Sequence, residues 1–206
     1  MVTREYIASA PRRPWGDYGS ILFDGMGAHL GRVDGELQLE RTGPFAPEIS
    51  FPFPMILRDS ARKKLESSHL CGYEFRRVRK ARVVRLDWES WDSSAALKPN
   101  GGEPVNYILS NQHDASLAAA MGDFWELFST DKTHVDVAGG DKVSTLAELE
   151  RFSLALKQRL AEHLHRPSES DFYRPHEHEP LYVSERARDW FEREFPGAIQ
   201  FEKIAH

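Results

Sequence analysis

The stretch LYVSERARDWFEREFPGAIQFEKI, residues 181–204, has the pattern of one small structural unit. Leu181, Tyr182 and Val183 start it as a short apolar strand. Ser184 follows where it can cap a helix, because a serine oxygen accepts from the free N–H groups of the first turn. A charged helical run comes next, then Gly197. The unit closes on an extended segment with Phe201 near its middle and the β-branched Ile204 three residues on. An earlier stretch, LRDSARKKLESSHLCGYEFRRV at 57–78, has the same layout. There Met55-Ile56-Leu57 is the apolar run, Ser60 the cap with Asp59 as competitor, and Gly72 the turn. Phe75 and Val78 mark the closing strand. Together the two predict a repeated strand–helix–strand unit. The fold class expected is α+β, with mixed or antiparallel sheets and packed helices.

Working outward, residues 1–19 read as an irregular lead-in and Ser20–Phe23 as a short strand. Ala28–Val33 and Glu36–Arg41 flank Asp34-Gly35, a pair suited to a two-residue hairpin turn that needs positive φ at both positions. Leu37 and Leu39 alternate with Glu36, Gln38 and Glu40, which predicts one buried and one wet face. Pro44, Pro47, Pro52 and Pro54 mark an ordered loop or edge strand. Tyr73–Val78 and Ala81–Trp88 read as extended. Residues 92–104 are the best linker, dividing a lobe at 1–98 from one at 99–206 or joining parts of one compact domain. Val105–Leu109 reads as a strand. Asp114 is placed to cap a helix over Ala115–Phe128, with Leu117, Met121, Phe124 and Phe128 on one face. Thr145 and Glu148 have the spacing of a capping box for a longer helix over Leu146–Leu164.

With 206 residues, 40% of them apolar and 29% charged, the chain can bury a real core and is globular. One cysteine, Cys71, excludes an internal disulfide and cysteine-rich zinc motifs and suits a reducing compartment. Arg4 and Glu5 interrupt the N-terminus, so no secretory signal is expected, and no run reaches the roughly 20 apolar residues of a membrane helix. The expected location is the cytoplasm.

Three clusters bear on function. His163, His165, His176, Glu177, His178 and Glu179 are of metal-binding type. Their spacing matches no metal motif, so neither metal nor cofactor is expected. The alternative is a small metal-dependent hydrolase built on segment 163–179. Arg76, Arg77, Arg79, Lys80, Arg82 and Arg85 place six positive charges in ten residues, a pattern that could grip phosphates. Asp87, Glu89 and Asp92 follow at once and the net charge is −5, so a solvated or partner-facing surface is the stronger expectation. Cys71 with His69 could form a nucleophilic pair. Their adjacency at a helix end favours a half-buried structural cysteine instead. No phosphate loop, GxGxxG or nucleophile elbow is present.

The pattern Val183, Ser184, Glu185, Arg186, Trp190, Gly197, Phe201 and Ile204 resembles the closing segment of bacterial polymorphic-toxin immunity proteins, in the double-CXXCG and suppressor-of-fused-like immunity families. Ser60, Leu65, Gly72, Phe75 and Val78 are similar to the corresponding internal segment. The paired CxxC motifs are missing, so the metal feature of that family does not carry over. The resemblance implies a cytoplasmic, non-enzymatic protein that blocks a partner toxin. Because interfaces are enriched in Trp and Arg, the partner surface is expected around Arg77, Arg79, Arg82, Trp88, Glu89 and Trp91.

Overall fold

The computed structural model describes residues 5–43, 46–52, 54–86, 104–130, 170–174 and 180–204. Two sheets form among them. The smaller contains β1 (Glu5–Ser9), β8 (Phe172–Tyr173), β9 (Leu181–Ser184) and β10 (Gln200–Lys203), antiparallel in the order β10-β1-β9-β8. The larger contains β2 (Met26–Val33), β3 (Glu36–Gly43), β4 (Ile49–Ser50), β5 (Ile56–Arg58), β6 (Tyr73–Arg85) and β7 (Phe124–Ser129). Its order is β2-β3-β6-β7-β5-β4, and β3 and β6 run parallel. Five helices accompany them among the described residues: α1 (Asp17–Asp24), α2 (Asp59–Glu66), α3 (Pro104–Ser110), α4 (Ala115–Ala120) and α5 (Glu185–Glu194). The class is α+β.

Strand, helix and strand occur in that order in both quoted stretches, as β5-α2-β6 and β9-α5-β10. In each, a further strand lies between the two and antiparallel to both: β7 in the first, β1 in the second. Leu57 and Arg77 face Trp125 across β7, and Val183 and Lys203 face Tyr6 across β1. The sheet built on β5 and β6 thus borrows a strand from 99–206, and the sheet built on β9 and β10 borrows one from 1–98. Neither expected lobe holds a complete sheet. One core joins them, with Met55, Leu57, Ala61 and Leu65 packed among Leu181, Val183, Ala187 and Phe191. Each large side chain buried there contributes about 1.5–3 kcal/mol.

The two helix starts differ in their caps. Ser184 caps α5, accepting from the Ala187 N–H at 3.0 Å. The cap position of α2 is Arg58, which makes no side-chain cap bond. Asp59 and Ser60, the expected caps, fall inside the helix. Asp59 pairs with Lys63 and Arg62, and Ser60 donates to Glu48.

The larger sheet curls strongly. Asp24, just before β2, accepts from the Phe51 N–H just after β4, so its two edges approach each other. Arg32 of β2 donates to both oxygens of Glu126 on β7, at 2.7 and 2.6 Å. A flat sheet would hold these strands about 14 Å apart. Arg41 is fully buried inside the curl over the Phe124 ring. Burial lowers its pKa to about 10, against the opposing pull of Asp24.

Several local expectations change. The Asp34-Gly35 turn has the expected positive φ, 53° and 82°. Of the wet face expected on β3 only Glu36 stays part-exposed: Gln38 and Glu40 are as buried as Leu37 and Leu39. The cause is that β3 is a central strand, with α1 and α3 also against it. Residues 1–19 contain β1 and the start of α1. Ser20–Phe23 belongs to α1 and Val105–Leu109 to α3. Apolar runs this short carry no period that separates helix from strand, and Pro104 suits a first helical turn. The helix expected to reach Phe128 stops at Ala120. Gly122, at φ 73°, makes the left-handed turn beyond it, and FWELFS becomes β7. Leu117, Met121 and Phe124 still share one core, but from two elements. The helix at 146–164 and nearly all of the 92–104 segment lie outside the described residues.

Candidate functional site

All six cations of the basic run sit on β6, and the structure shows what each one touches. Arg76 pairs with Glu74 at 2.6 Å and lies over the Phe128 ring. Arg77 pairs with Asp123 at 2.9 Å. The Lys80 ammonium donates to Gly122 O at 2.6 Å and to Ala118 O, closing the C-terminal carbonyls of α4. Burial lowers its pKa. Arg82 donates to Leu109 O at 2.6 Å at the end of α3, with Glu40 3.6 Å away. Arg85 pairs with Asp114 at 3.0 Å. The Asp114 carboxyl sits below the usual range because it accepts from the Leu117 N–H, with Arg85 adding to the effect. The Arg79 side chain is exposed and makes no hydrogen bond or ion pair among the described residues.

Arg79 stands on the wall of an open groove of about 420 Å³. Local topology creates it. β7 begins at Phe124, opposite Val78, so beyond Val78 β6 has no ladder partner on that side. Helix α4 runs there instead and presents the small side chains of Ala118 and Ala119. Arg77, Lys80, Glu36 and Asp123 complete the rim.

Of the six expected contact residues, Arg77 and Arg79 reach this groove. Arg82 is half-buried and committed to α3 and Glu40, so it acts as a fastening of the fold. Trp88, Glu89 and Trp91 lie outside the described residues, as do His163, His165, His176, Glu177, His178 and Glu179. Among the described residues no group of three or more His, Cys, Asp and Glu side chains is placed to hold a metal ion.

A second polar centre was not legible in the sequence. Asp171 is fully buried where the two strand–helix–strand segments meet. It accepts from the Cys71 N–H at 3.0 Å, from Ser184 Oγ at 2.6 Å and from Arg186 Nε at 3.1 Å. Burial alone would raise its pKa, but the bonds from Arg186, Ser184 and Cys71 together hold it below the usual carboxylate range. Cys71 is exposed rather than half-buried, and its Sγ lies 3.7 Å from Asp171. Beside it, His69, Arg186, Trp190 and Arg193 line a cleft of about 650 Å³ between the end of α2 and α5. Gly72 is required here, because at φ 91° a Cβ would sit 1.6 Å from Ser170 Oγ. Only the proximity of Cys71 and Gly72 to a helix end hinted at this junction. No family model, curated protein or solved structure matches the chain.

Proposed function

We propose that this is a non-enzymatic protein-binding protein that occludes a protein partner, in the manner of an immunity protein acting on a toxin. One observation carries the choice of partner class. Five of the six cations on β6 are committed to carboxylates or helix-end carbonyls, and Arg79 alone among them is uncommitted. Affinity for a phosphate backbone scales with the number of cations free to displace counterions, so one free cation makes a poor nucleic-acid site. An isolated exposed arginine beside a groove with a small-residue floor has the character of a protein contact instead. The fold then acts as a rigid support, with no reaction required of it.

A rescue assay tests this. Toxins encoded by neighbouring genes are expressed with and without the chain, and direct binding is measured for any that it neutralises. Rescue by the wild-type chain that fails with Arg77→Glu plus Arg79→Glu, with both proteins folded, is the expected result. Absence of rescue and of binding for every neighbouring product refutes the proposal.

A further inference from the structure

We infer that the groove beside Arg79 receives a single acidic side chain of the partner, whose carboxylate Arg79 binds through its planar fork of N–H donors. This rests on the protein-binding function proposed above and names the chemistry of the contact. A guanidinium matches a carboxylate with two parallel hydrogen bonds, a stronger and more directional contact than an ammonium makes. Arg79 has its donors available, whereas Lys80, on the same rim, spends its ammonium on Ala118 O and Gly122 O. That use of Lys80 also neutralises the carbonyl end of α4, which would otherwise repel an incoming carboxylate.

The charge balance sets the number of carboxylates. Arg77 and Asp123 cancel each other. Arg79 and Lys80 against Glu36 leave the groove one net positive charge, on a chain whose net charge is −5. One carboxylate completes that balance. A run of acidic residues or a phosphate chain would meet Glu36 and the surrounding negative field. Ala118 and Ala119 leave space for the short side chain of Asp or Glu above α4.

The probe is the peptide acetyl-Gly-Gly-Glu-Gly-Gly-amide, with Gln in place of Glu as control, titrated into the isotope-labelled full chain to about 10 mM, where millimolar affinities register. The expected result is a shift of the Ala118 and Ala119 amides and of the Arg79 Nε–H. Binding should weaken about tenfold or more with the Gln peptide and with Arg79→Gln. Arg12→Gln, at an exposed arginine elsewhere, should leave it unchanged. Equal binding of the two peptides, no shift at these residues, or tighter Arg79-dependent binding of an oligothymidylate overturns the inference. The two proposals fail separately. A rescued toxin whose affinity ignores Arg79→Gln removes the carboxylate site and leaves protein binding standing. Arg79-dependent peptide binding with no protein partner does the reverse.

Discussion

Replacing Asp171 by alanine should cost the fold about 3 kcal/mol, because one buried carboxylate holds three donors from two distant segments. The Ser184 hydroxyl is buried, and losing its charged acceptor costs about 1.5 kcal/mol. The part-buried Cys71 N–H adds about 1 kcal/mol. Arg186 adds only about 0.5 kcal/mol, since its side chain is 59% exposed and water replaces the carboxylate. The assay is urea unfolding followed by tryptophan fluorescence, for the wild type, Asp171→Ala and Asp171→Asn. The pH dependence gives a second constraint. The folded pKa of Asp171 lies below its ordinary value, so the charged form is the one the fold stabilises. The contribution is complete above about pH 5 and is lost as pH falls through the folded pKa. The gap between wild type and Asp171→Asn should therefore be constant from about pH 5 to 8 and narrow below about pH 4. A gap under about 1 kcal/mol for Asp171→Ala at neutral pH would refute the bond accounting. A gap that widens on acidification would refute the sign.

Three further outcomes are expected. Gly72→Ala should lose about 3 kcal/mol in the same unfolding assay, combining a positive φ with a Cβ placed against Ser170 and Phe172. Ser184→Ala should lose about 1–2 kcal/mol as a true helix cap, while Ser60→Ala, inside α2, stays within about 0.5 kcal/mol of wild type. Equal losses for the two serines would contradict the cap assignment. Arg82→Ala should lower the melting temperature, because it releases the end of α3 and leaves Glu40 buried without its cation, whereas Arg79→Ala should not.

What could be read from the sequence was local. The Asp34-Gly35 turn, the caps at Ser184 and Asp114, and the order of strand, helix and strand at 56–78 and 181–204 all depend on a few adjacent residues. Backbone sterics and short-range hydrogen bonds decide such features, and both are written in neighbouring side chains. Short apolar runs were where local signals failed. Ser20–Phe23 and Val105–Leu109 became helices, and Phe124–Ser129 became a strand, because packing overrode a weak intrinsic preference.

Which strand lies beside which was decided only in three dimensions. β1 enters the sheet of β9 and β10 from the far end of the chain, and β7 enters between β5 and β6 after a long excursion. The same is true of the candidate site. In sequence, β6 carries six cations of equal standing. Folding brings Asp114, Asp123 and the ends of α3 and α4 against four of them, Arg76 pairs with Glu74 on its own strand, and Arg79 is left uncommitted. Asp171 likewise has its partners at Cys71, Ser184 and Arg186. The sequence by itself determined how many charges this surface carries. The tertiary structure decided which of them remain free, because an ion pair depends on a distance of a few ångströms between groups that the chain order leaves unconstrained.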